Sequence, residues 1–599
     1  MTEFTAALRH EGRRLSTVRV DLLGALAVVV LAAVVAAFGG FVSLSDANGD
    51  SDSLVRMVEV RDLIAGQGWF DLTQYRLGPE GGVVMHWSRL VDAPIAAIVL
   101  AAGGLTGSAA VGETVAAVLW PSLLLGAGVV LLGRMARRAH GDSAALPALV
   151  VGGIALMSIG IFEPGAIDHH NLQLVLTLGM AAGLLAGSFR AACAAGACAA
   201  LTIAVGMETL PYAAIGGLIA AGLLLFRGPD EAPAAAGFGL GFAATAAAAF
   251  LATVPARDWL APACDAFSVA QGSVAVLAGL GLALIAGSAV ATASFPQRLS
   301  ALTLLGLALG VLVALAFPQC LSDPYAALDE RLKTHWLDLV TEARSIVGVA
   351  AFRPTMLATW YATPLLGLAV LAFRAARLGL GRADAILGAL LLAAFLVSLW
   401  QVRGALFAVP LAVIPLAGWI ARRRAAALAT GQRSATLAMA LAWVLSMNVV
   451  WSTAASYANR VAGTPDDADA AVRCYRASDY DRLAVLPKST VLAISNLGPG
   501  ILNRTPHRTL SGPYHRNVAG NLAALDMFMA EPDAAEAMLR AAGVGLVALC
   551  PGNSETWMLA RAAPGGLIAQ LAAGEAPAWL EPIAGDPAAA MRIYRVAHQ

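Results

Sequence analysis

Two stretches of this 599-residue chain place ionisable groups where hydrophobic runs end. In GIFEPGAIDHHNLQLVL (residues 160–176) an aspartate and two histidines precede an apolar segment, and in SDANGDSDSLVRMVEVRDLIAG (45–66) three aspartates follow one. Charges at a membrane boundary are costly and tend to mark function. Asp168 and His170 lie two apart, before regular helical turns begin, and can both face one ion. A carboxylate with an imidazole suits Mn²⁺ or a similar divalent ion better than Mg²⁺, which favours oxygen ligands and water. The alternative is a helix cap with both histidines at headgroup level. Asp46, Asp50 and Asp52 follow the first apolar run, and the spacing of Leu54, Met57, Val58, Arg61 and Ile64 predicts an amphipathic surface helix over 53–64. Asp52 is then its N-cap, a usual place for Asp.

Two further positions extend the pattern. The polar stretch DERLKTHWLDLVTEARSI predicts a helix with Glu342 near its end, and LWQVRGALFAVPLAV sets Arg403 between two apolar runs. A lone arginine there either snorkels to the headgroups or holds a phosphate. Each residue alone fits a bland reading, but an Asp, an Asp-x-His, a Glu and an Arg all fall on one face in separate loops. Crowded carboxylates repel unless a cation or protons neutralise them. A divalent ion with an adjacent arginine makes a site for a lipid-linked phosphate.

The elements that must position these groups are membrane helices. The chain is 59% hydrophobic and 13% charged, against roughly 25% charged in soluble domains. Its zero net charge argues against a nucleic-acid partner. A span needs about 20 mostly apolar residues, which predicts about thirteen: 20–43, 110–134, 144–162, 171–189, 191–207, 209–226, 235–254, 268–291, 298–317, 358–376, 383–400, 404–421 and 434–453. The first reads as a retained helix rather than a signal peptide. The short, Gly-rich run 91–106 is set outside as an interfacial helix, because the basic clusters (RHEGRR, RMARRAHG, FPQR, RAARLGLGR, ARRRAAALATGQR) then share one side. The N-terminus is therefore expected in the cytoplasm. Loops 44–109 and 318–357 and a terminal domain 454–599 are expected outside, in the periplasm of a bacterial-type cytoplasmic (inner) membrane. STVLAIS, VGLVALCP and MRIYRVA predict strands in that domain, which reads as α/β. Cys264 with Cys320, and Cys474 with Cys550, can pair if they face an oxidising compartment, while Cys193 and Cys198 read as packing residues.

At these residues the chain resembles the catalytic-subunit family of oligosaccharyltransferases, among the GT-C membrane glycosyltransferases. SDSLVRMVEVRDLIAG is similar to the family's first-loop motif, which puts a catalytic, metal-binding aspartate on Asp52. AIDHHNLQL resembles the second-loop Asp-x-Asp or Asp-x-His motif and carries metal ligands onto Asp168 and His170. LVTEARS resembles the segment whose glutamate contacts metal and acceptor, here Glu342, and QVRGALFAVP the place of a donor-phosphate arginine, here Arg403. The resemblance implies a mainly α fold: a GT-C bundle (1–453) of about 13 transmembrane helices followed by a small extracytoplasmic α/β domain (454–599). It departs at Ile494-Ser495-Asn496-Leu497-Gly498, where the family's WWDYG acceptor motif is replaced and only the glycine remains. An asparagine acceptor is in doubt there.

The implied activity is inverting transfer of a sugar or oligosaccharide from a polyprenyl phosphate or diphosphate carrier to a glycan, lipid or protein acceptor, assisted by Mn²⁺ or Mg²⁺. Asp52 or Glu342 would be the base for a hydroxyl acceptor. Arg504 and His515, within a basic cluster that also holds His507, Arg508 and Arg516, join Arg403 as candidate phosphate ligands. Arg61, His86, His169 and Asn171 are candidates for the substrate pocket. Two alternatives stand: a metal-independent aminoarabinose- or mannosyl-type enzyme using lipid monophosphates, and a transporter, which should instead carry charges near mid-helix in paired halves.

Overall fold

The computed structural model describes the chain except residues 1, 47–49, 323–324, 326–327, 353, 463–473, 475, 584–589 and 598–599, with side chains described from residue 17 onward apart from those of residues 45, 46, 339, 341 and 352. The side chain of Asp46 lies outside the described residues. A helix forms at each predicted apolar run, because long apolar stretches satisfy their backbone internally and leave their side chains for lipid or for each other. Length and composition sort them. Among the described residues nine helical stretches are long and apolar enough to cross a membrane, or ten if the bent pair Arg433–Ser446 and Asn448–Val461 is one span. The expectation of about thirteen is corrected in two ways. Asp142–Ser158, His170–Ala186 and Phe189–Val205 are apolar but shorter, and Met207–Thr253 joins two helices, Leu210–Arg227 and Ala232–Thr253, through a 3-10 turn. A second correction concerns 91–106: the helix Arg89–Thr106 is itself long and apolar enough to span.

Burial separates the lipid face from the centre. Phe295–Ala316 has no buried residue, whereas 94% of the most apolar window of Val402–Thr430 is buried. The latter is therefore the central post of the bundle, and Arg403 stands at its N-terminal end, in the turn Val402–Gly404. Small residues let neighbouring helices close up. A Cβ at Gly196 would lie 2.1 Å from the carbonyl of Phe238, and one at Gly241 would lie 2.0 Å from that of Cys193.

The terminal domain forms a second body with its own core. A short hairpin, β1 (Thr73–Gln74) and β2 (Val83–Val84), belongs to the first loop. The terminal domain holds β3 (Thr490–Ala493), β4 (Arg508–Thr509), β5 (Val544–Leu549), β6 (Leu580–Pro582) and β7 (Arg592–Val596), in the order β4-β3-β5-β7-β6. Strands β4, β3 and β5 run parallel, and β7 is antiparallel to β5 and β6. The first loop covers the exposed edge at β4: Thr509 N–H donates to Arg76 O (2.9 Å) and Gly78 N–H to Thr509 O (2.8 Å). The second loop packs on the same body through Leu328, Leu332 and Trp336. That packing breaks the single helix expected around Glu342 into Glu330–His335, the turns Leu337–Leu339 and Thr341–Ala343, and Ile346–Phe352. Both cysteine pairs, Cys264–Cys320 and Cys474–Cys550, are disulfides, and Cys193 and Cys198 are free and half-buried.

Candidate active site

The expected surface helix starts earlier than its periodicity predicts, at Ser51, its cap is Asp50 rather than Asp52, and residues 55–60 are all buried, so it packs inside the protein instead of presenting one polar face. Asp50 Oδ1 accepts from the backbone N–H groups of Asp52 and Ser53 (both 3.2 Å), and Ser53 Oγ donates to Asp50 Oδ2 (2.5 Å). Asp52 is thereby released from capping and sits half-buried in the first turn. Ser53 Oγ also accepts from the N–H groups of Ile167 and Asp168 (2.9 and 3.0 Å). One serine thus ties the loop that carries the histidines to the start of the surface helix.

On that loop, Asp168, His169 and His170 each offer a ligand atom within 4.8 Å of the others. His169 Nδ1 contacts Asp168, and its Nε2 lies 2.6 Å from Glu208 Oε1. His170 Nε2 is 3.5 Å from Asp168 Oδ2, and its Nδ1 is 3.4 Å from Glu208 Oε1. Burial disfavours charge on His169, but the anions of Asp168 and Glu208 outweigh it and raise its pKa to about 9. Burial likewise opposes ionisation of Asp168, yet the two imidazoles hold it below the usual carboxylate range. Asp52 and Asp50 go the other way. Burial first, and then the charge of Asp168, pushes Asp50 up to about 6, and burial, Asp168, Asp50 and Glu342 raise Asp52 well above the ordinary value.

Glu342 is exposed on its turn and reaches this cluster electrostatically. Its position follows from a backbone bond, Val402 N–H to Arg344 O (2.9 Å), which joins the second loop to the turn holding Arg403. Arg403 donates from Nε to Gln401 Oε1 (3.1 Å) and lies within electrostatic reach of Glu342, Glu208 and Tyr325. The fold thus brings Asp52, Asp168, His169, His170, Glu342 and Arg403 into one neighbourhood from separate segments.

Other predicted residues are held by contacts of their own. Arg61 forms a bidentate pair with Glu113 (2.7 Å twice) and donates to Asn503 O (2.8 Å), so it clamps the surface helix to the bundle and the terminal domain. Asn171 braces its own loop, donating to Ala166 O (2.9 Å) and Ile161 O (3.3 Å). Arg504 ends the helix Gly498–Arg504, half-buried. His507 bridges Leu483 O and the Ser489 N–H inside the terminal domain, and Arg508 donates to Pro79 O. His86 stacks near His515, ring centroids 4.6 Å apart, and burial, with His515 and Arg516 close by, lowers its pKa to about 3. His515 itself rests on Asp265.

Four residues escaped the sequence reading. Glu208, in VGMETLPY, was visible as an acid at a helix end, but its partner His169 is 39 positions away. Arg56 is fully buried, 2.8 Å from Asp92 and 4.5 Å over the ring of Trp87, with Nη2 3.5 Å from His169 Nδ1. Tyr514 donates to Ser51 O (3.2 Å), beside Asp52. Tyr212 stacks on Phe407 at 4.3 Å, near Arg403 and Glu208, and its buried hydroxyl finds no hydrogen-bond partner among the described residues.

The chain matches no protein-family description and no curated protein sequence. Solved structures do match. The Archaeoglobus fulgidus oligosaccharyltransferase in its apo form is similar over 93% of this chain and 73% of its own, at 13% identity and TM-score 0.63. The archaeal oligosaccharyltransferase AglB from the same organism, in complex with an inhibitory peptide and a dolichol-phosphate, matches over 96% and 74%, at 14% identity and TM-score 0.60. A complex of the Archaeoglobus enzyme with Zn and sulfate matches over 95% and 73%, at 14% identity and TM-score 0.57. At such identities the likeness is one of architecture, and the chain has the GT-C membrane fold of the oligosaccharyltransferase type.

Proposed function

We propose that this protein is an integral-membrane glycosyltransferase. It moves a sugar or oligosaccharide from a polyprenyl phosphate or diphosphate carrier to an acceptor at the outer face of the cytoplasmic membrane, inverting the anomeric carbon. The observation that carries this reading is the convergence of Asp52, Asp168, His169, His170, Glu208 and Glu342, with Arg403 in electrostatic reach of Glu208 and Glu342. Solved relatives in fold were captured with a dolichol-phosphate and with Zn and sulfate, in keeping with an anionic lipid headgroup and a divalent ion here.

The residues present fit such an ion. Asp168, His169 and His170 supply a mixed oxygen and nitrogen donor set of the kind that suits Mn²⁺ or Zn²⁺, with Asp52 electrostatically coupled to it. Glu208 would orient both imidazoles from behind, as outer carboxylates do for ligating histidines. When bound, a divalent ion supplies positive charge to a phosphate leaving group. Arg403 gives the same phosphate a fixed guanidinium, an interaction that strengthens as negative charge builds during bond breaking. The Tyr212 hydroxyl, without a hydrogen-bond partner among the described residues, would donate to a phosphate oxygen from the bundle side.

The test is transfer by the purified protein from undecaprenyl-phosphate-linked saccharides, with and without EDTA. Transfer should be abolished by the chelator and restored by Mn²⁺, and R403A should lose about 10²-fold or more in kcat. Transfer that survives EDTA moves the reading to the metal-independent lipid-monophosphate class. Uptake of solute with no transfer, unaffected by D52A, overturns it in favour of a transporter.

A further inference from the structure

Beyond the acid and histidine cluster, one group is built as a proton acceptor. His515 Nε2 lies 2.7 Å from Asp265 Oδ2. Asp265 is in turn fixed by Arg516, which donates from Nε (2.6 Å) and Nη2 (2.8 Å), and by its neighbour Cys264, disulfide-bonded to Cys320. Burial alone would push the Asp265 carboxyl up, but the hydrogen bonds from Arg516 and His515 hold it well below the usual range, so it is an anion. An imidazole that donates one N–H to a fixed carboxylate is locked in tautomer and orientation and presents the lone pair of its other nitrogen. Here that nitrogen is Nδ1.

The surroundings place this nitrogen at the site. The His515 ring stands 4.6 Å from His86 and edge-on to Tyr325 at 6.2 Å. Tyr325 is in electrostatic reach of Arg403, and His86 of His169. The preceding residue, Tyr514, reaches the start of the surface helix beside Asp52. The titratable and charged groups facing His515 are thus Asp265 from the bundle, Arg516 from its own turn, His86 from the first loop and Tyr325 from the second. The two carboxylates that could compete for its task lie in the field of other groups: Asp52 in that of Asp50, Asp168 and Glu342, and Glu342 near enough to Arg403 to act on it electrostatically.

We propose that His515, oriented by Asp265, is the general base of the transfer, and that the acceptor is therefore a hydroxyl group rather than a carboxamide. This rests on the donor reading given above. The acceptor oxygen forms the bond to the anomeric carbon while the bond from that carbon to the carrier's phosphate oxygen breaks, its electron pair leaving with the phosphate. The hydroxyl proton passes to His515 Nδ1 and from there to water. A carboxamide nitrogen, its lone pair delocalised and its N–H far too weak an acid for imidazole, gains nothing from such a base. Asp265 is a positioning residue in this scheme.

The experiment uses the full-length protein in nanodiscs. The donor is the polyprenyl-linked saccharide pool extracted from the source membranes, the acceptor is the delipidated envelope fraction, and product linkage is read by mass spectrometry. H515A and H515Q should each lower kcat by about 10²- to 10⁴-fold, leave undecaprenyl phosphate affinity unchanged, and regain activity with added imidazole. D265N should lower kcat less than either histidine variant, with KM unchanged, because the imidazole has lost the carboxylate that fixes its tautomer and orientation. Oxygen-linked product is expected. Either histidine variant retaining kcat within threefold, or a nitrogen-linked product, overturns the assignment while leaving the donor reading intact. Wild-type protein that neither transfers nor binds undecaprenyl phosphate overturns both.

Discussion

Asp168, His169 and His170 each offer a ligand atom to one ion, while burial, and after it the charge of Asp168, raises the carboxyls of Asp50 and Asp52. D168A is expected to abolish Mn²⁺ binding measured by calorimetry, whereas N171A, which loosens a loop brace, should only weaken it. Metal affinity should also rise with pH, because the imidazole of His169, raised to about 9, must shed its proton to ligate. His86 gives a stability prediction of its own. Its folded pKa, about 3, lies below the 6.5 of a free imidazole, so its contribution is fully present above pH 6.5 and is lost as pH falls toward 3. The thermal midpoint of the wild type should drop over that window more steeply than that of H86L; equal slopes would contradict the assignment. Several of these positions were legible because charges stand out where apolar runs end. Glu208 and Tyr212 were not, since what marks them is contact with distant residues, and the tie from Ser53 to Asp168 spans 115 positions.

Among the elements, the surface helix depends most on buried charge. Arg56 pairs with Asp92, Arg89 donates to the same carboxylate (3.0 Å), and Glu59 lies 3.5 Å from Arg56, all nearly inaccessible to water. Removing one partner of such a network leaves an uncompensated buried charge, costing about 3–5 kcal/mol. R56M should therefore unfold at lower denaturant with the helix Ser51–Ile64 losing exchange protection first, and a variant as stable as the wild type would contradict the packing. The helix was readable from its spacing, but its first turn was not. Three aspartates competed for the cap, and the bond from Ser53 to the histidine loop, invisible in sequence, accompanies the choice of Asp50. The polar run before Glu342 misled for a related reason. Its helical pattern is weak, and burial of Leu332 and Trp336 against the terminal domain overrides it.

At the scale of the whole molecule, apolar periodicity made the bundle and the α/β cap legible, while span number was not, because several helices are shorter than a bilayer needs or are joined without a break. Which helix becomes the central post was equally hidden, since near-complete burial of Val402–Thr430 emerges only from packing. The two disulfides are links of the kind that persist in an oxidising compartment. Non-reducing peptide mapping should find Cys264 joined to Cys320 and Cys474 to Cys550, with Cys193 and Cys198 alkylated; six free thiols in protein from intact cells would contradict the outward orientation. The most direct test of the shared site is a structure solved with Mn²⁺ and undecaprenyl phosphate. An anomalous peak bounded by Asp52, Asp168, His169 and His170, with the lipid phosphate on Arg403, is the predicted result. Metal density absent from that triad, or a phosphate bound away from Arg403, would contradict it.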